Sequence, residues 1–328
     1  MKKIFLLILI AGLALAVYLF SAPSGFDKSL VVNVKAGSSV KEIAATLKDK
    51  GAIRSEWLFA SYARVTGAQS KLIAGEHELA AKSDLRSVVK QLQSKTNLSQ
   101  ERSITIIEGW KISDIKDYLI KEGVVSEVEF DEAVKLKQWQ NDYEFLQDRD
   151  IKSLEGFLFP DTYRIYSDAT AKDIIKKMLD NFDAKLTDQM RADLKTQKQT
   201  IYEALTLASI VEREALYDDD RLVIAGIFLN RLKEGIGLQS DATVNYVTGK
   251  KTARPSYADL QVDSPYNTYK YRGLPPTPIS NPGLSSIKAV IYPQTSDYFY
   301  FLTDSEGRAH FATTYAGHQA NINKYLEN

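Results

Sequence analysis

Apolar and polar positions along the chain fall into one pattern used twice. Val32 to Ile53 reads VNVKAGSSVKEIAATLKDKGAI, and Ile104 to Val125 reads ITIIEGWKISDIKDYLIKEGVV. The two align without a gap at an offset of 72, matching Val32/Ile104, Val34/Ile106, Gly37/Gly109, Val40/Ile112, Ile43/Ile115, Leu47/Leu119 and Gly51/Gly123 in type. Each copy alternates, turns at glycine, runs apolar at helical spacing and stops at glycine. That predicts strand, turn, helix and helix end. A second helical stretch follows each, Ser55 to Val65 and Ser126 to Lys135, opened by a serine in N-cap position with an acidic residue just after. Strand-like runs Gly75 to Leu79 and Phe157 to Tyr166 come next, then helical Leu85 to Leu92 and Ala171 to Leu179. The reading is a duplicated β-α-α-β-α unit in an α+β chain.

Upstream, Met1-Lys2-Lys3 precedes seventeen residues without a charge, Ile4 to Phe20. As a helix these would span about 26 Å, close to the hydrocarbon core of a bilayer. A cleavage site after Ala22 would place Phe20 where a small residue belongs and Pro23 just beyond the cut. The expectation is an uncleaved transmembrane anchor over 1–22. Lys2 and Lys3 would keep its N-terminus cytoplasmic and put the rest outside.

Ile201 to Leu216, IYEALTLASIVEREAL, is apolar nearly all round and so predicts a mostly buried helix. Glu212 and Glu214 close it, and each falls on an apolar stripe, so periodicity does not choose between them. A carboxyl there is costly unless paired or protonated. One reading pairs Glu212 or Glu214 with Arg213, Arg221 or Arg231; the other makes one of them a general acid. Asp218, Asp219 and Asp220 read as a solvated cap for a helix over Arg221 to Lys233. The chain then turns Gly- and Pro-rich and polar-aromatic over 235–246 and 264–283. Tyr266, Tyr269 and Tyr271 with Gln239, Asn245, Asn267 and Thr268 offer flat faces and amides suited to a sugar cleft.

The chain holds 42 basic and 42 acidic residues, which removes the footprint of a general nucleic-acid binder. It has no cysteine, excluding thiol chemistry and thiolate metal sites. His77, His310 and His318 do not pair at metal-ligand spacing. No phosphate-cradling glycine motif occurs. No metal and no cofactor is expected.

The first copy, through VNVKAGSSVKEIAATL, resembles a LysM-like module, a class that grips N-acetylglucosamine glycans. Further on, EGFLFPDTYRI (155–165), ASIVERE (208–214), LNRL (229–232), LQSDATVNY (238–246), SPYNTY (264–269), GLPPTPISNPG (273–283) and FATTYAGHQ (311–319) occur in that order. Together they resemble the MltG, or YceG-like, family of endolytic murein transglycosylases. The resemblance implies a membrane-anchored lytic transglycosylase that cuts nascent peptidoglycan strands internally, and association with peptidoglycan synthases. Its catalytic glutamate falls on Glu214, with Glu212 structural or supporting. Cleft-lining positions fall on Gln239, Asp241, Thr243, Tyr246, Tyr266, Asn267, Thr268 and, in the GLPP loop, Pro275. His318 matches a family histidine, and no role carries over to His310. The implied organisation is an anchor over 1–22, a LysM-like module over 23–100, a second α+β unit over 101–195 and a catalytic domain over 196–328. Two alternatives stand beside it: a muramidase-type hydrolase using Asp241 as second carboxylate, and a non-catalytic peptidoglycan-binding scaffold.

Overall fold

The computed structural model describes residues 17–35, 37–94, 101–166, 169–250 and 255–326. The anchor expected over 1–22 lies largely outside the described residues. Among those described, no helix is long and apolar enough to cross a membrane. The order is β1 (Leu30–Val34), α1 (Val40–Asp49), α2 (Glu56–Val65), β2 (Gly75–Leu79), α3 (Leu85–Leu92), β3 (Glu101–Thr105), α4 (Ile112–Lys121), α5 (Glu127–Ala133), β4 (Thr162–Tyr166), α6 (Ala171–Lys185), α7 (Asp188–Thr196), α8 (Ile201–Glu214), α9 (Asp218–Lys233), α10 (Asp241–Thr248), α11 (Tyr257–Leu260), α12 (Leu284–Ile291), β5 (Tyr300–Thr303), β6 (Ala309–Ala312) and α13 (Tyr315–Tyr325). The described residues form two compact units, one of those up to Arg102 with Arg164–Tyr166, the other of Ser103–Tyr163 with those from Ala169 onward.

In the first unit β1 and β2 pair antiparallel, with Leu30 opposite Leu79, Val32 opposite His77 and Val34 opposite Gly75. Alternation buries Val32, Val34 and Leu79 against the apolar stripes of α1, α2 and α3, including Ile43, Leu47, Phe59, Val88 and Leu92. The start of α1 is self-contained. The Ser39 hydroxyl accepts the Glu42 N–H at 3.3 Å, and the Glu42 carboxylate accepts the Ser39 N–H at 2.7 Å.

The same order recurs from β3 to α6, and α4 starts 72 residues after α1, as the repeat predicts. Some bounds differ. Phe157 to Asp161 is not strand, because Phe157, Leu158 and Phe159 fill the core while β4 begins at Thr162. The rings of Phe145, Phe157 and Phe182 form that core, 4.8–5.6 Å apart. Helix α6 runs to Lys185 rather than Leu179, since Phe182 continues its buried stripe.

Helix α8 is the axis of the second unit and packs against both α9 and α12. It stops at Glu214, short of Leu216, because Ala215 is extended. Helix α9 begins at Asp218, so the three aspartates are its first turn and not a cap before it. They are not all solvated either: Asp220 is buried and accepts the Ala309 N–H at 3.1 Å.

Candidate active site

The second unit carries a cleft of about 930 Å³ along the C-terminal end of α8. One wall is Gly109, Trp110, Lys111 and Asp114, at the turn into α4. Another is Gln239, Asp241, Ala242, Asn245 and Tyr246, from the start of α10. Tyr269, Tyr300, Tyr315 and His318 add aromatic faces. Flat faces between polar groups suit sugar rings.

Long-range partners separate the two glutamates. The Glu212 side chain is nearly fully buried and accepts three hydrogen bonds. Arg221 Nη2 donates to its Oε1 at 3.1 Å, while the Gly283 N–H and the Ser286 hydroxyl donate to Oε2, both at 2.9 Å. This carboxylate ties α8 to α9 and to the start of α12. Glu214, one turn-fraction later, lines the cleft. Ser240 Oγ donates to its Oε1 at 2.5 Å. Ser240 stands at the N-cap position of α10 but does not cap it with its side chain. The Glu214 carboxyl takes over that place and also accepts from the Ala242 backbone. The Glu214 side chain keeps some solvent access, yet protein atoms surround its carboxyl densely. That burial pushes its pKa above the ordinary carboxylate range, while the Ser240 hydroxyl opposes it and the Asp241 charge adds to it. The result is an acid group inclined to hold its proton at the edge of a cleft.

A buried polar scaffold fixes Ser240. Its N–H donates to Thr268 Oγ1 at 3.0 Å, and Thr268 Oγ1 lies 2.9 Å from Thr243 Oγ1, which donates to Ser240 O at 2.7 Å. Gln239 is left-handed, at φ 51°, with its N–H on Thr268 O at 3.1 Å. Arg231 is buried and donates to the carbonyls of Phe299, Leu238 and Gly237 at 2.7, 2.9 and 3.2 Å, holding this loop in place. Burial holds its pKa below the usual guanidinium range.

Of the residues singled out in the sequence, Glu214, Gln239, Asp241 and Tyr246 meet in the cleft. Tyr269 OH donates to Asp241 Oδ1 at 2.6 Å. Thr243, Asn267 and Thr268 are fully buried beneath it. Asn267 Nδ2 donates to the Leu260 and Val262 carbonyls at 2.9 and 2.8 Å. Tyr266 bonds Thr277 at 2.8 Å and packs on Tyr246 with rings 5.0 Å apart. Pro275 is buried in the loop below. His318 stacks on Tyr300, and burial holds its pKa below the usual histidine value. His310 pairs with Asp304 at 2.7 Å instead. Sequence reasoning missed Ser240 as a partner and Trp110 as a wall. Ser240 sits inside the quoted LQSDATVNY run, but its hydroxyl's use depends on a residue 26 positions away.

The YceG-like family matches residues 32–324 of this chain. The chain belongs to that family. An endolytic murein transglycosylase of Bacillus subtilis strain 168 is 36% identical over 306 residues, covering 90% of this chain and 84% of that protein. An endolytic murein transglycosylase of Streptococcus pneumoniae serotype 2 strain D39 is 32% identical over 325 residues, covering 91% of this chain. The chain spans only 59% of the length of that pneumococcal relative. A crystal structure of a YceG-like protein from Listeria monocytogenes superposes with a TM-score of 0.71 at 33% identity, covering 89% of this chain and 98% of that one. The YceG-like assignment thus spans both copies of the repeat and the cleft.

Proposed function

We propose that this chain is a lytic transglycosylase acting on peptidoglycan glycan strands, with Glu214 as its acid and base. Relatives that cover most of the chain carry that activity in their names. The observation that carries the residue assignment is the contrast between two neighbouring carboxyls. Glu212 accepts three hydrogen bonds from the protein, one of them within an ion pair to Arg221, whereas Glu214 faces a sugar-sized cleft with a raised pKa.

Glu214 donates its proton to the glycosidic oxygen between N-acetylmuramic acid and N-acetylglucosamine. As carboxylate it is stabilised by Ser240 and the Ala242 N–H. It then takes the proton of the same muramyl 6-hydroxyl, whose oxygen closes on the anomeric carbon and leaves a 1,6-anhydro end. The nucleophile is tethered to the sugar it attacks, so effective molarity replaces a bound water. One carboxyl therefore serves both steps, unlike the pair that a hydrolase uses. Tyr269 holds Asp241 beside the acid, where its negative charge helps keep the proton on Glu214.

The finer parts of the reading rest on separate support. Anchoring through residues 1–22 rests on the charge-free run after Lys2 and Lys3, and it puts the cleft outside the membrane. The LysM-like reading of the first unit rests on its β-α-α-β order and on a cavity of about 550 Å³ lined by Lys35, Gly37, Ser38, Glu42 and Lys50.

Mass spectrometry of fragments released from purified cell wall tests the proposal, with Glu214→Gln alongside. 1,6-Anhydro ends that vanish in the variant are expected. Reducing ends carrying an added water would replace the proposal with hydrolysis through Asp241. Binding without any release would leave a scaffold.

A further inference from the structure

A second polar cluster, separate from Glu214 and its scaffold, lies behind the cleft wall at Gly109–Asp114. Its centre is Asn281, fully buried, from the loop before α12. Asn281 Oδ1 accepts the N–H groups of Gly156 and Leu158, both at 2.9 Å. Its Nδ2 donates to Trp110 O at 3.0 Å and to Glu155 Oε1 at 3.1 Å. Its backbone N–H donates to the same Trp110 carbonyl at 2.8 Å, and its carbonyl accepts the Gly109 N–H at 2.9 Å. Every hydrogen-bonding atom of the side chain is therefore used within the protein.

Glu155, also buried, completes the cluster. Its carboxyl accepts the Ile112 N–H at 3.0 Å, the first orphan donor of α4. Lys111 holds the N-cap position of that helix, and an ammonium has no lone pair with which to cap. Gly156 permits a close approach, and Gly109 a left-handed turn. Gly156 has φ +92°, and a Cβ there would lie 2.6 Å from Pro278. Gly109 has φ +75°, and a Cβ there would meet Arg213 at 3.4 Å and Glu212 at 3.5 Å. The wall thus approaches the last turn of α8, which carries Glu214.

We propose that Asn281 and Glu155 are positioning residues that hold the Gly109–Asp114 wall where the glycan lies against it, so that they set substrate affinity rather than the chemical step. This rests on the cleft being the glycan site. Neither residue lines the cleft, and both act through Trp110, Lys111 and the start of α4.

The pair also makes the wall sensitive to alkali. Burial pushes the Glu155 carboxyl up to about 8, with the Ile112 N–H and Lys111 opposing and Asp114 adding to the rise. The charged and titratable groups facing it are Lys111 and Asp114 at the start of α4 and Tyr246 on α10. Above that pH the buried carboxyl is charged, and the Ile112 and Asn281 donors with Lys111 offset only part of its burial cost, so water entering the cluster is favoured and the wall loosens.

The test uses the full chain with Glu214→Gln, so that soluble, un-cross-linked peptidoglycan strands bind without being cut. Their Kd is measured at about pH 6.5 and about pH 9, on either side of the Glu155 value. Hydrogen exchange of segments 108–116 and 155–159 is followed in the same samples. Asn281→Asp keeps the acceptors but loses both donors; it should raise Kd about tenfold and deprotect segment 108–116. In the parent, Kd should rise between the two pH values. Adding Glu155→Gln, which cannot ionise, should remove that rise. Asn281→Asp with Kd changed by less than about twofold, or a pH slope that survives Glu155→Gln, would overturn the inference. A parent that binds no strands would instead overturn the functional reading. Hydrogen exchange would then decide the positioning role alone: unchanged protection of 108–116 in Asn281→Asp would sink it.

Discussion

The two copies of the repeat use one pattern and finish it differently. In the first, α1 is capped by its neighbours, Ser39 and Glu42, three residues apart. In the second, Asp114 still accepts the Lys111 N–H at 3.0 Å, but lysine stands where the capping serine stood, and the free N–H of Ile112 goes to Glu155, 43 residues on. The local cap completes α1 within its own first turn. A remote cap ties the turn into α4 to the loop before α12 and turns it into a cleft wall. The difference teaches that the second copy of the pattern joins a cleft wall by giving up a piece of its self-sufficiency.

The largest expected effect tests whether chemistry resides wholly on the second side of this comparison. Glu214→Gln should lower cleavage by at least about a thousandfold while the thermal unfolding midpoint stays near that of the parent. Residual turnover above that level would move the acid elsewhere. Next comes the remote cap. Glu155→Ala strands the Ile112 N–H and one Asn281 donor and should cost about 2–3 kcal/mol in urea unfolding. Its pH signature has a definite sign. The folded carboxyl holds its proton to about 8, the unfolded one only in the ordinary carboxylate range. Stability from this group is therefore full below the unfolded value and falls as pH rises toward about 8. Glu155→Gln should flatten that fall; an equally steep curve in the variant would count against the assignment.

A smaller effect sharpens the role of Ser240. Its hydroxyl favours the carboxylate form of Glu214, so Ser240→Ala should raise the Glu214 pKa further. The alkaline limb of kcat should move to higher pH, with kcat reduced about tenfold. A limb that moves down would show that the hydroxyl serves the protonated form instead. The smallest effect belongs to the local cap. Ser39→Ala should cost roughly 0.5–1 kcal/mol and leave kcat unchanged, as measured by urea unfolding and fragment release.

Local order was legible because it is locally determined. Glycine turns, capping serines and apolar spacing placed β1, α1, α4 and α8 close to where they stand. Phe157–Asp161 misled because aromatic residues fill a core equally well from a loop. The three aspartates misled because Asp220 meets Ala309 only through the β5–β6 hairpin. The site was half legible. Both Glu212 and Glu214 lie on apolar stripes, and what divides them is a set of donors between 9 and 74 positions away. Thr243 and Thr268 were visible as polar residues near the right place. That they face each other beneath Ser240, rather than the cleft, follows from a pairing 25 residues apart.

Gln239 has a consequence of another kind. A glutamine at φ 51° carries a conformational cost of about 1 kcal/mol that glycine would escape. Directed evolution for heat tolerance alone would drift toward glycine there. It would thereby discard the side-chain oxygen that stands 3.4 Å from Arg231 at the lip of the cleft. On the proposed function, with Gln239 lining the glycan cleft, counterselection for turnover should restore glutamine. Position 239 is thus where a laboratory population would register whether it is being bred for endurance or for work.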